Sequence, residues 1–212
     1  MRVMDKASLH EIMAVGLALA ILGAYHLFVR VRMRSDPAFR IQGVLNRGRE
    51  TWVERMIRED LGILAVQTLR NSIMAATFFA TTAVALIVGT ITLSMQSGAL
   101  RRVSEALAAS DEHWWFLKIV ILLVDLLGAF FFFSQAIRYL SHVGLMISAP
   151  VEAAGPKMVS KLLIQAGRFH TRGMRCYYYA GPVLFWLFGP EYLVFATCGL
   201  VMALYFLDRS PD

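Results

Sequence analysis

Leu117–Phe133 reads LKIVILLVDLLGAFFFF, and this stretch decides the fold. Its charged members are Lys118 near one end and Asp125 in the middle. Extended to Trp114 and Arg138 it becomes a run long enough to cross a bilayer, whose hydrocarbon core of about 30 Å takes roughly 20 apolar residues of helix. Working outward, residues 9–29 and 70–93 repeat the pattern. Short charge-dense segments separate the runs, the layout of spans and connecting loops.

The last apolar stretch, residues 177–207, is too long for one straight crossing at about 1.5 Å per residue. It holds Gly181-Pro182 and Gly189-Pro190, and a proline inside a helix removes a hydrogen bond and kinks or breaks it. Two readings are open: a single kinked crossing, or two half-length helices in a re-entrant hairpin. The single crossing is favoured, because Tyr177–Phe188 alone is too short to span.

Two charged segments between the runs have helical periodicity. Across residues 45–64, Trp52, Val53, Met56, Ile57, Leu61 and Leu64 share one side. Arg47, Glu54, Arg55 and Arg58 take the other, with Glu54–Arg58 and Arg55–Glu59 at i,i+4 spacing. Across residues 156–170, Pro156 suits a first helical turn. Met158, Val159, Leu162, Leu163, Ala166 and Phe169 form that segment's apolar stripe. Both are expected as amphipathic helices in the head-group layer or against a partner.

The expected fold class is therefore all-α: one polytopic membrane domain over residues 1–212, with four transmembrane helices and two amphipathic cytoplasmic helices. Composition agrees, with 58% hydrophobic and 17% charged residues and a mean hydropathy of +0.57. A soluble domain carries about a quarter charged residues. The N-terminal run resembles a signal peptide at first sight, but Glu11 interrupts its start. Arg30, Arg32 and Arg34 follow where a cleavage site would fall, so it reads as a retained span.

Charge distribution sets the expected orientation. The loop from Arg30 to Arg70 holds nine Lys/Arg, and the segment from Arg138 to Arg175 holds six. Arg101 and Arg102 lie between the second and third runs, with Lys118 just inside the third. The positive-inside rule puts the two large loops in the cytoplasm of a cell-membrane protein and the N-terminus outside. The C-terminus is then also outside if the last stretch crosses once. The net charge of +6 suits anionic lipid head groups. No basic patch with interleaved aromatics sits on a soluble module, so nucleic acid is not an expected partner.

Asp125 is the first candidate for chemistry. It falls near mid-membrane, where a carboxylate is costly and faces the bundle interior or a hydrated cavity. Glu191 falls at similar depth if the last stretch crosses once, beside a helix break whose freed carbonyls can bind cations. Glu191 also suits the first turn of a new helix, where a carboxylate favours the dipole, and Asp125 could simply lock helix packing. A second cluster comprises Gln67, Arg70 and Asn71 of the second run, Gln135 and Arg138 of the third, and His26 of the first. It reads as a cytoplasmic gate or a lipid-phosphate site, or as interfacial caps that snorkel to water.

Other chemistries find no support. There is no G-x-x-x-x-G-K-[ST], H-E-x-x-H or G-x-S-x-G motif. His10 and His113 could both lie near the outer surface, but His142 falls beyond the third run and pairs poorly with His26, no CxxCH exists, and no cofactor or metal is expected. Cys176 and Cys198 fall on one helix in the single-crossing reading, too far apart for a disulfide. Gly16, Ala20 and Ala24, with Ala76 and Ala80, make small-residue ladders suited to close helix contact, inside the bundle or between copies.

Tyr25-His26, Asn46-Arg47-Gly48-Arg49 with Trp52, Ala65-Val66-Gln67-Thr68-Leu69-Arg70-Asn71 running into Met74-Ala75-Ala76-Thr77, and Phe185-Trp186-Leu187-Phe188-Gly189-Pro190 resemble a family of bacterial and plant membrane proteins. It is the domain-of-unknown-function family 599. The resemblance runs from about Gly23 to Leu207 and implies a similar four-span architecture, with Gln67–Asn71 as part of its pattern. It implies no activity and no residue role.

The functional expectation is a membrane protein that passes or senses a cation or proton through Asp125 and Glu191, as a homo-oligomer. Arg70, Asn71 and Gln135 would lie at its cytoplasmic mouth. The alternative is a non-enzymatic accessory subunit that docks a protein partner through its amphipathic helices, with Trp52 and Phe169 facing that partner. A lipid-modifying enzyme holding a phosphate on Arg70 and Arg138 comes third.

Overall fold

In the computed structural model, residues 6–35, 41–95, 112–150 and 155–208 are described. All regular structure among them is helical. The elements are α1 (Lys6–Ser35), α2 (Ile41–Arg58), α3 (Gly62–Met95), α4 (Glu112–Met146), α5 (Pro156–Trp186) and α6 (Pro190–Asp208). Four stretches are long and apolar enough to cross a membrane: Ala7–Arg32, Gly62–Met95, His113–Met146 and Pro190–Leu207. Arg101 and Arg102 lie outside the described residues.

The helices overrun the apolar runs because nothing polar at their ends breaks them. α4 continues past Arg138 to Met146, and α3 begins at Gly62, two turns before Arg70. What stops α2 is backbone geometry. Asp60 takes φ 50, a left-handed conformation that aspartate tolerates better than most residues. The Asp60 and Leu61 amides donate to the Ile57 and Met56 carbonyls at 3.3 and 2.9 Å. This is a Schellman cap, with Leu61 and Met56 packed in one cluster. The amphipathic segment expected over residues 45–64 is thus divided: α2 ends at Arg58, and Leu64 belongs to α3.

At the end of the bundle that carries α2, here called the basic end, Val53 and Met56 pack with Ala65, Leu69, Leu140, Val143, Ile147, Val159, Leu163 and Ala166. Trp52 and Ile57 lie against the same cluster. Phe169 stacks on Tyr139 and Phe132, at ring separations of 5.3 and 6.4 Å. Most of the two apolar stripes expected to face lipid or a partner is therefore covered by the chain itself, with Leu64 and Met158 left half-exposed. Burying them within the bundle removes the same apolar surface from water without a second molecule.

The last stretch departs from the favoured sequence reading. Residues 156–170 are not a separate helix, and residues 177–207 are not one crossing. α5 is a single helix of 31 residues, about 46 Å long, that runs the length of the bundle antiparallel to α4. Nothing in residues 171–176 breaks it, and buried Pro182 is accommodated within it. The chain then reverses. Leu187, Phe188 and Gly189 amides donate to Leu184, Phe185 and Trp186 carbonyls at 3.0–3.1 Å. Gly189 takes φ 153, a conformation that side chains resist. Pro190 opens α6, with Glu191 in its first turn. α6 returns antiparallel to α5 and beside α1, so Tyr25 and Val29 of α1 meet Leu204 of α6. The end of α6 therefore lies beside the end of α1, not at the opposite end as a single crossing would place it. Cys176 and Cys198 are free thiols on different helices.

Between the two ends, Phe133 is fully buried among Phe79, His170 and Tyr177, at ring separations of 5.2, 5.3 and 5.5 Å. The Tyr177 hydroxyl donates to the Phe79 carbonyl. Ala76, Ala80, Ala83 and Ala129 are buried here, so this small-residue face brings α3 against α4. Gly16, Ala20 and Ala24 point outward instead; Ala14 and Ala18 are the small residues that α1 turns inward.

Candidate functional site

Charges inside the apolar thickness mark where chemistry is concentrated. At the end opposite the basic one, Lys118 of α4 and Glu11 of α1 are 2.7 Å apart, with side chains 0% and 3% exposed. Trp186 Nε1 donates to the other Glu11 oxygen at 2.7 Å, and the Lys118 ammonium lies 5.3 Å from the Trp186 ring centre. This triad ties α1, α4 and α5 together. Every charge in it has a partner, the condition under which burial of charge is tolerated. A cation–π contact adds to it.

Seven residues along α4, about 10 Å towards the basic end, lies Asp125. Its Oδ2 is buried and has no hydrogen-bond partner. The Cys176 thiol of α5 is within hydrogen-bonding reach of the carboxylate. Glu191 is not at this depth. It is exposed at the head of α6, with His10 Nε2 4.0 Å away, level with the Glu11–Lys118 end. Asp125 and Glu191 are not brought together, because the chain turns at Gly189 where a single crossing would continue.

The cluster expected at the basic end is dispersed too. Gln67, Arg70 and Asn71 are exposed on the face of α3 turned away from buried Ala65 and Leu69. Arg138 is exposed on α4 and Gln135 is half-buried. His26 faces α5, where its Nε2 lies 3.0 Å from the Tyr179 hydroxyl.

His26 leads to a further arrangement of polar groups among the described residues. A cavity of about 500 Å³ is lined by His26, Val29 and Arg30 of α1, Phe132 of α4, and Arg172, Arg175, Cys176 and Tyr179 of α5. Beside it, a recess of about 280 Å³ is lined by Gln42 and Asn46 of α2 with Arg168, Thr171, Arg172 and Arg175. Gln42 Nε2 donates to Thr171 Oγ1 at 3.3 Å across that seam. Arg49 adds a further cation nearby, fitted against Gly167, where even a methyl group would meet its guanidinium at 2.6 Å. Arg49 donates to Asn46 Oδ1 at 2.9 Å, and burial pushes its pKa below the ordinary arginine value.

The construction is simple. Arg168, Arg172, Arg175 and Tyr179 recur at intervals of four, three and four residues, one stripe of a helix. Measured from Trp186, Arg175 lies about 16 Å and Arg172 about 21 Å along α5. On α4, about 30 Å separates Lys118 from Arg138, so both arginines fall within that slab. Neither Arg30 nor Arg172 has a carboxylate within ion-pair distance among the described residues. Guanidinium groups converging on a cavity suit a phosphate or carboxylate, which they grip through paired N–H donors. This stripe is legible in the sequence once α5 is known to be continuous; dividing it at residues 170 and 177 hides it.

The fold and its site define a polytopic helical membrane protein with a basic cavity between its helices. The chain belongs to the family described as "Protein of unknown function, DUF599", matched over residues 13–212. No match is found among the curated proteins or the solved structures.

Proposed function

We propose that the protein binds a phosphate-bearing anion in the cavity between α1 and α5. The observation that carries the reading is the convergence of Arg30, Arg172 and Arg175, with His26 and Tyr179, on one cavity whose lining residues include no carboxylate. Arg30 and Arg172 have no carboxylate within ion-pair distance among the described residues, and an anion in the cavity would supply them a counter-charge. The test is thermal unfolding of the detergent-purified protein with glycerol phosphate. At about a hundredfold excess over Kd the melting temperature should rise by about 5–10 °C, and Arg172→Gln should abolish the rise. Equal melting with and without the anion, or a rise that survives Arg172→Gln, refutes the reading.

A second reading rests on Asp125. Its unpartnered buried Oδ2 supports a role in holding a proton or passing a cation, in a homo-oligomer if the path runs between copies. Glu191, exposed beside His10, then belongs to the entrance rather than to the same level. Proteoliposome flux that falls at least tenfold in Asp125→Asn supports this reading, and flux indistinguishable from empty vesicles removes it. Docking of a partner through Trp52 or Phe169 is not proposed, since both rings are engaged within the chain.

A further inference from the structure

The basic cavity does not stand alone. Along the crevice between α1 and α4, with α5 as its floor, a second cavity of about 250 Å³ begins at Tyr179 and runs to Trp186. Its walls are mostly apolar, from Leu19 and Leu22 of α1, Ile121 of α4, Val183 of α5, and Leu193 and Leu200 of α6, with Thr197 of α6 among them. Tyr179 lines both spaces, so the groove continues the basic cavity towards the opposite end. It extends about 10 Å along α1 between Val15 and Leu22. α1 packs chiefly on α6 and is pinned to α4 at Glu11–Lys118. Leu19 and Ile121 at the groove's rim are 64% and 36% exposed, so the crevice is open at its side to surrounding lipid.

We propose that the two spaces hold one molecule, an anionic phospholipid. Its phosphate sits among Arg30, Arg172 and Arg175, and an acyl chain lies in the groove between Leu19, Leu22, Ile121 and Val183. This deepens the anion-binding reading and rests on it. The charge of the cavity calls for an anion, and a soluble anion has no use for an apolar extension at the same site. A lipid head group drawn to the arginines carries its chain in the direction the groove runs. The hydroxyl of Tyr179, 3.0 Å from His26 Nε2, stands at the junction, where the glycerol backbone would lie.

The experiment is native mass spectrometry of the detergent-purified protein titrated separately with dioleoyl phosphatidylglycerol, dioleoyl phosphatidylcholine and glycerol phosphate. One phosphatidylglycerol should be retained per chain, at a concentration at least tenfold below that needed for phosphatidylcholine. Arg172→Gln and Arg30→Gln should each weaken it about tenfold or more, two variants guarding against one that misfolds. Val183→Trp, which fills the groove, should remove lipid retention and leave glycerol phosphate binding in place. If glycerol phosphate binds as tightly as the lipid and Val183→Trp changes neither, the lipid proposal falls while anion binding stands. If both lipids are retained equally and the arginine variants change nothing, both readings fall.

Discussion

Replacing Lys118 by methionine keeps the length of the side chain and removes its charge, leaving Glu11 buried with Trp186 Nε1 as its remaining partner of the triad. Both members of the pair are essentially inaccessible. Removing one partner of such a pair costs about 3–5 kcal/mol, because the other charge stays desolvated. For a chain of 212 residues, each kcal/mol corresponds to about 2–4 °C, so Lys118→Met should melt about 6–20 °C below the parent. Glu11→Gln alone should cost a similar amount, since it strands the ammonium. The double variant Glu11→Gln/Lys118→Met carries no stranded charge and retains an acceptor for Trp186. It should recover much of the loss, with a coupling energy of up to about 3 kcal/mol. The assay is a double-mutant cycle read by thermal unfolding in one detergent. A Lys118→Met protein that melts within a degree of the parent, or a double variant that loses the sum of the singles, refutes the reasoning.

Other expectations test the packing and the turn. Gly173→Ala sets a methyl group 2.8 Å from Phe133 Cε2; the ring is caged by Phe79, His170 and Tyr177 and cannot retreat. A loss of about 1–3 kcal/mol should follow, measured by thermal unfolding and relieved by Phe133→Leu. Gly189→Ala forces a side chain onto φ 153 and should cost about 1–3 kcal/mol, whereas Gly181→Ala, with open space around it, should be near neutral in the same assay. Ala76→Leu, at a fully buried position between α3 and α4, should destabilise by about 1–3 kcal/mol. Ala20→Leu on the outward face of α1 should leave melting within about 1 °C. A smaller particle on size exclusion for Ala20→Leu would place a contact between copies on that ladder.

Much of the fold is visible in the sequence because the membrane imposes a coarse rule. Runs such as Leu117–Phe133 have few alternatives to a spanning helix, and the four apolar helices follow from them. The course of α5 is less legible. Its five Lys/Arg make it too polar for hydropathy to mark as a span, and its arginines become tolerable only once α1 and α2 provide a cavity for them. Pro182 and Gly189-Pro190 carry nearly the same local signal. Packing decides that the first is absorbed and the second turns the chain. The amphipathic stripes of α2 and α5 read correctly as stripes, but sequence periodicity says nothing of what covers them. Glu11, Lys118 and Trp186 are hidden for another reason: they are separated by 107 and 175 residues from Glu11, and each alone looks like an ordinary flanking residue. Asp125 stands out in any reading, since a carboxylate in an apolar run signals its own cost.

Cys176 lines the basic cavity, and it reports directly on whether an anion enters there. In Cys198→Ser protein, the rate of Cys176 alkylation by a small maleimide is measured with and without glycerol phosphate. The anion should slow alkylation several-fold, and Arg172→Gln should remove this protection. An identical rate with and without the anion, or protection that persists in Arg172→Gln, would contradict anion binding in this cavity.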